Sequence, residues 1–135
     1  MPRIFVDSGV VILAARGESP SREAALRLLE DPSAHFLTSP FIYLEIVPQA
    51  AFHRRDVELD FYQVYFRYAE SCEDTAQIVQ HAVRTSTRCG IAPMDALHVA
   101  AANLMQANLL ITAEKPGKSI YRADNVQVRY YLEMS

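Results

Sequence analysis

The sequence predicts an α/β fold with three layers, in which helices cover both faces of a mostly parallel central sheet. Short apolar runs that suit buried strands alternate with longer runs that carry helical start and stop signals. Each of the three strongest strand candidates ends at a hydroxyl or carboxylate side chain, as is typical of a ligand-binding sheet edge. No repeat, low-complexity tract or linker divides the chain, so residues 1–135 are expected to form a single domain.

The strands are predicted from short apolar runs, which fit parallel strands that are buried on both faces. The predicted strands cover residues 4–6, 35–38, 109–111 and 126–128, with the last at an edge of the sheet. Residues 71–73 are expected to form either a weak strand or a connector.

Helices are expected to begin near residues 10, 20, 40, 57, 75 and 93. Ser19-Pro20 and Ser39-Pro40 each combine a preferred N-cap residue with proline, which suits the first helical position. Gly90 fits the position that follows the end of the fifth helix.

The helix that begins at Pro93 is the most distinctive segment. Residues 94–105 are apolar on nearly every face, which predicts a helix buried on more than one side. Asp95 lies in its first turn, where free backbone N–H groups and the helix dipole favour a carboxylate. A charge in such surroundings needs those amides, a cation or a metal as a partner.

The helix expected over residues 57–68 carries five aromatic residues within eight positions, and these span more than one side of a helix. Two interpretations have equal weight: simple packing, or a surface for a partner or a second copy. Base stacking is less favoured because little basic charge is interleaved. The residues are Phe61, Tyr62, Tyr65, Phe66 and Tyr68.

Composition excludes several classes of protein. The formal net charge of −3 gives no global basic field, so any nucleic-acid contact must be local or mediated by metal. No apolar run is long enough to span a membrane and the N-terminus is not signal-like, so we expect a cytoplasmic protein without a membrane partner. Cys72 and Cys89 are spaced for neither a redox motif nor a zinc site, so two reduced, partly buried thiols are expected.

Four acids stand out by their positions relative to the predicted strands: Asp7, Glu45, Asp95 and Glu114. The carboxyl ends of parallel strands meet at one sheet edge, so these side chains are expected to converge. Crowded carboxylates repel and raise each other's pKa values, and a hard divalent cation such as Mg²⁺ or Mn²⁺ relieves that repulsion. Asp7 and Ser8 also fit a simple helix N-cap, and that interpretation has equal weight from this strand end alone.

Four segments together resemble the PIN domain family: residues 6–8 (VDS), 39–45 (SPFIYLE), 94–102 (MDALHVAAA) and 110–114 (LITAE). The resemblance implies a compact α/β/α nuclease fold. The family includes VapC-type toxins, which are Mg²⁺- or Mn²⁺-dependent ribonucleases, usually homodimers, that a small antitoxin inhibits. By this resemblance Asp7, Glu45 and Asp95 match the three core acids.

The fourth acid departs from the family pattern. PIN domains commonly have Thr-x-Asp followed by a segment with Phe, whereas this chain has Thr112-Ala113-Glu114-Lys115. The longer glutamate puts occupancy by a second metal in question, since Lys115 and Lys118 could neutralise its charge. Thr112 is expected to hold a neighbouring carboxylate through its hydroxyl.

Basic residues near these segments are candidates for binding the RNA phosphates, although most surface lysines and arginines serve only solubility. The candidates are Arg54, Arg55, Lys115, Lys118 and Arg122. His98 is interpreted as a packing residue, because Mg²⁺ sites favour oxygen ligands.

The leading prediction is therefore a metal-dependent endoribonuclease, the toxin of a toxin-antitoxin pair, in which the four acids hold metal and orient water and Ser8 and Thr112 support them. The alternative is a catalytically weakened PIN-like module that binds a protein or RNA. A phosphatase or receiver-type site is less favoured, because Ser8-Gly9 supplies no second acid beside Asp7.

Overall fold

The computed structural model describes residues 1–134. Its strands are β1 (Arg3–Val6), β2 (His35–Thr38), β3 (Glu70–Ser71), β4 (Leu109–Thr112) and β5 (Val128–Tyr130). They form one sheet in the order β3-β2-β1-β4-β5, and every neighbouring pair is parallel. Its helices are α1 (Ser8–Arg16), α2 (Ser21–Leu29), α3 (Pro40–Phe52), α4 (Asp56–Tyr68), α5 (Thr75–Cys89) and α6 (Pro93–Leu104), with 3₁₀ turns at Ser119–Arg122 and Tyr131–Met134. The three-layer α/β/α prediction is confirmed.

The centre of the sheet is covered on both faces. Successive residues of a strand point to opposite faces, and Phe5 and Val6 of β1 are both buried, as are Leu110 and Ile111 of β4. On the helical layers, α1 packs against α2, α3 and α4, while α5 packs along α6. The apolar runs at residues 4–6 and 109–111 therefore form the buried strands that their composition predicted.

Strand register determines which side chains reach the carboxyl edge. Val6 is opposite Ile111 in the β1–β4 ladder, and the backbone N–H of Asp7 donates to the Ile111 carbonyl at 2.9 Å. Asp7 and Thr112 consequently lie side by side where the two central strands end.

The last strand was predicted two residues too early. Residues 128–130, not 126–128, pair with β4, with Val128 opposite Leu110 and Tyr130 opposite Thr112. Both three-residue segments have the same alternation, so periodicity could not place the strand, and the ladder with β4 sets the register. The strand does lie at an edge of the sheet, as predicted.

The N-cap prediction is confirmed at Ser39 and wrong at Ser19. The Ser39 hydroxyl accepts the backbone N–H of Phe41 at 3.2 Å, and α3 begins at the next residue, Pro40. At α2, Pro20 occupies the N-cap position and no side chain caps the helix. The Ser19 hydroxyl instead donates to the Glu23 carboxylate at 2.6 Å. Ser19 therefore makes a local side-chain hydrogen bond and does not cap α2.

The aromatic helix α4 serves both core and surface. Tyr62 and Tyr65 are buried, and the Tyr62 hydroxyl donates to the Glu58 carboxylate at 2.5 Å. Tyr68, by contrast, is 79% exposed and Val57 is 82% exposed. Packing therefore explains the inward aromatic residues but leaves an apolar outer side on this helix.

The two cysteines are in the state that composition predicted. Cys72 and Cys89 are free thiols, and both are partly buried. Across residues 1–134, none of the helices combines the length and apolarity that crossing a membrane requires.

Replacing Gly90 with alanine is expected to lower the free energy of unfolding by about 1 kcal/mol, because a Cβ is strained in the left-handed region. Gly90 ends α5 with φ 68° and donates its N–H to the Ser86 carbonyl. Gly90→Asn should lose less, since asparagine tolerates this conformation. Urea denaturation measures both variants, and equal losses would contradict the conformational explanation.

Candidate metal centre

One cavity at the carboxyl edge of the sheet brings together the four acids that the sequence singled out. It has a volume of about 220 Å³ and is lined by Asp7, Ser8, Gly9, Glu45, Asp95, Ala113 and Glu114. A side chain at Gly9 would approach the Ala113 Cβ to 3.2 Å, so glycine keeps the start of α1 close to the end of β4. The carboxylates come from four separate places in the sequence and surround one space.

Asp7 acts as a helix cap and as part of the cavity wall at the same time. It is 5% exposed, and its Oδ1 accepts the backbone N–H of Ser8 at 2.8 Å. The Ser8 hydroxyl is 3.5 Å from the same oxygen, and the Thr112 hydroxyl donates to Oδ2 at 2.8 Å. The two interpretations of Asp7 that the sequence left open are therefore compatible.

Thr112 connects Asp7 to the fourth acid. It is buried at the end of β4, and its hydroxyl oxygen accepts the backbone N–H of Glu114 at 3.0 Å. The Tyr121 hydroxyl donates to the Glu114 carbonyl at 2.6 Å. The backbone of Glu114 is thus fixed on both sides at a position where the residue lines the cavity.

Glu45 contacts His98, which the sequence predicted only as a packing residue. His98 Nε2 is hydrogen-bonded to Glu45 Oε1. Burial alone raises the pKa of Glu45, but the hydrogen bond and attraction of His98, with the Ser8 hydroxyl, outweigh it and lower that pKa. His98 lies three residues after Asp95 on α6, so the i, i+3 spacing was the available signal.

Asp95 is the acid in this cluster whose pKa is raised. Burial, then the charge of Asp7 and those of Glu114 and Glu45, raise the pKa of Asp95 to about 6 against the attraction of His98. No residue in the described chain hydrogen-bonds to the Asp95 side chain. The predicted repulsion between crowded carboxylates is thus expressed at this residue.

In metal-free protein, Asp95→Asn is expected to raise the free energy of unfolding by about 1–2 kcal/mol near neutral pH, after allowance for solvent screening. The folded pKa of about 6 exceeds the ordinary 3.8, so the folded state binds the proton more tightly. The contribution of Asp95 to stability therefore falls as pH rises from about 4 to 6 and stays low above that.

Urea denaturation in chelator at about pH 7.5 and about pH 5 measures this effect. The advantage of the asparagine variant should shrink at the lower pH, because wild-type Asp95 then becomes protonated. A variant no more stable than wild type at the higher pH would contradict the raised pKa.

The cluster fits a hard divalent cation. Among residues 1–134, no lysine or arginine forms an ion pair with any of the four acids. Of the four acids, Asp7 and Glu45 have carboxylate oxygens within 4.8 Å of each other, and a ring nitrogen of His98 lies within the same distance of both. Carboxylate oxygens are the donors that Mg²⁺ and Mn²⁺ favour, so a cation would supply the positive charge that the protein side chains lack.

The predicted phosphate-binding residues lie outside the cavity wall. Arg54 and Arg55 are in the turn between α3 and α4, where Arg55 is 3.9 Å from the Glu58 carboxylate. Arg122 donates to the Gly90 carbonyl at 3.1 Å. Lys115 and Lys118 are in the loop after Glu114 and are nearer in sequence to the site. Contact of these residues with RNA stays a prediction.

The fold and cavity define a three-layer α/β protein with an acidic edge suited to a divalent cation. The PIN domain family matches residues 4–122, and the chain belongs to that family. The PIN resemblance in the sequence is thereby confirmed. No curated protein matches the chain in sequence.

Solved structures share the fold at low sequence identity. The chain is similar to VapBC2 from Rickettsia felis bound to a promoter DNA fragment, with a TM-score of 0.73, 15% identity and coverage of 95% of this chain and 98% of that one. DNA-bound VapBC from Salmonella typhimurium gives a TM-score of 0.69 at 15% identity, with coverage of 97% of this chain and 99% of that one. The chain is also similar to VapC20 from Mycobacterium tuberculosis, a sarcin-ricin loop cleaving toxin. The TM-score is 0.67 at 16% identity, with coverage of 92% of this chain and 98% of that one.

Proposed function

We propose that this chain is a Mg²⁺- or Mn²⁺-dependent endoribonuclease and the toxin of a toxin-antitoxin pair. The observation that carries the proposal is the cavity in which four carboxylates meet without a lysine or arginine partner among the described residues. Membership of the PIN domain family supports it, as does the similarity to a sarcin-ricin loop cleaving toxin. An RNA substrate would place the activity in the cytoplasm.

In this proposal Asp7, Glu45 and Asp95 hold the cation, and Glu114 assists. A bound divalent cation would supply polarisation of the phosphodiester and a lower pKa for the attacking water. The Ser8 N–H and the Thr112 hydroxyl fix the two oxygens of Asp7. Asp95, whose side chain is not held by another described residue, is free to accept a hydrogen bond from water.

The test is cleavage of a structured RNA by the purified chain with Mn²⁺, with excess chelator as the matched control. Endonucleolytic fragments that appear with Mn²⁺ and disappear with chelator are the expected result. Absence of cleavage at saturating Mn²⁺, with a range of RNA sequences, would reject the enzymatic proposal.

A partner protein is part of the proposal. The outer side of α4 exposes Val57, Val64 and Tyr68, and aromatic and apolar residues of this kind are typical of protein interfaces. The structural neighbours include toxin-antitoxin complexes. We propose a small antitoxin as partner and a homodimer as the toxin's own state, which light scattering of the chain with and without the co-expressed partner would test.

The alternative, a catalytically weakened module that binds a protein or RNA, is favoured by one observation. Glu114 stands where the family pattern has aspartate, so the fourth carboxylate has an extra methylene. Calorimetry decides between the two: the alternative predicts no Mn²⁺ binding by wild type, whereas the enzyme predicts binding that Asp7→Asn removes.

A further inference from the structure

The imidazole of His98 is held in one place beside the carboxylates. It is 1% exposed, and its ring centroid is 6.2 Å from that of Phe5. Its Nε2 atom is bonded to Glu45 Oε1 and is 3.9 Å from Asp7 Oδ1, which is too far for a hydrogen bond. Among the four acids, His98 therefore makes its hydrogen bond with Glu45.

The contact with Glu45 decides where the ring proton lies, because an ionised carboxylate can only accept a hydrogen bond and Nε2 must therefore donate it. Nδ1 is buried and has no hydrogen-bond partner within residues 1–134. A proton on Nδ1 would be a buried donor without a partner, which is unfavourable. A histidine that binds metal through Nε2 carries its proton on Nδ1 and almost always donates it to a carboxylate, carbonyl or water. His98 has no such acceptor among these residues.

We infer that His98 is a positioning residue that keeps a proton on Nε2 and donates it to Glu45, and is not itself a metal ligand. The inference rests on the proposed function, in which Glu45 binds the cation. The hydrogen bond joins α6 to α3 and uses one lone pair of the Glu45 carboxylate, which keeps other lone pairs for a cation. His98 thus fixes the position of Glu45, the proposed metal ligand, through this hydrogen bond.

Two substitutions measure the contribution of this donor to metal binding. His98→Leu keeps an apolar body but removes the N–H, and it should weaken Mn²⁺ binding by about 10–100-fold in calorimetry. His98→Gln supplies an amide N–H at similar reach, and its affinity should stay closer to that of wild type. Unchanged affinity in a folded leucine variant would overturn the inference.

The position of the proton separates a positioning residue from a ligand. Long-range proton–nitrogen NMR of histidine-labelled wild type reports it, and His98 among the four histidines is assigned by its loss in His98→Gln. The expected result is a protonated Nε2 both before and after saturation with diamagnetic Mg²⁺. Transfer of the proton to Nδ1 when Mg²⁺ is added would show ligation and reject the inference.

The same measurements distinguish failure of this inference from failure of the proposed function. If wild type binds neither Mg²⁺ nor Mn²⁺, the proposed function fails. The metal-free spectrum of wild type still tests His98 in that case. The only variant it needs is His98→Gln, which serves for assignment. A ring proton on Nδ1 alone in that spectrum overturns the inference by itself, whereas a proton on Nε2 supports it.

Discussion

Asp95→Asn is expected to reduce Mn²⁺-dependent RNA cleavage by about 100-fold or more while leaving the protein folded. The substitution removes a negative oxygen ligand from the cavity and replaces it with a neutral group of the same shape. The fold should survive, because no described residue hydrogen-bonds to the Asp95 side chain and its charge is disfavoured in the metal-free protein. Cleavage rates at saturating Mn²⁺ measure the loss.

The combination of lost activity and gained stability is the discriminating feature. A residue needed only for structure would lose both, whereas a functional residue under strain is expected to trade one for the other. Asp60→Asn is the matched control, because Asp60 is exposed on α4 and makes the same change of charge away from the cavity. Normal cleavage by Asp95→Asn would reject its proposed role as a metal ligand.

Much of the fold could be predicted because its signals are local. The Ser39 cap and the left-handed Gly90 are decided by residues within a turn of each other. The convergence of Asp7 and Glu114 followed from topology, since each follows a parallel strand and parallel strands bring their carboxyl ends to one edge. These features needed no knowledge of which side chain contacts which.

The features that sequence reasoning did not place depend on contacts between distant residues. The register of β5 is set by pairing with β4. The alternation of apolar and polar residues is identical in the segment that begins two residues earlier, so it could not place the strand. The bond between His98 and Glu45 joins residues 53 apart in sequence, so His98 was interpreted from its own helix as a packing residue. Packing on Phe5 is correct for its ring, but its Nε2 atom has a separate polar contact.

Thr112→Val is expected to weaken Mn²⁺ binding by about 10–100-fold, because its hydroxyl orients a proposed ligand without being one. Valine has nearly the same shape but lacks the oxygen. The change leaves Asp7 Oδ2 without its donor and the Glu114 N–H without its acceptor. Two polar groups lose their partners, so the free energy of unfolding should also fall by about 1–3 kcal/mol.

Two further variants separate these effects. Thr112→Ser keeps the hydroxyl and removes only a methyl group, so it should recover Mn²⁺ affinity even if it is less stable than wild type. Thr87→Val removes a hydroxyl that bonds only within its own helix, to the Val83 carbonyl, and should leave affinity unchanged. If Thr112→Val binds Mn²⁺ as wild type does, Asp7 does not depend on this hydroxyl, and the β4 end has only a structural role in the cavity.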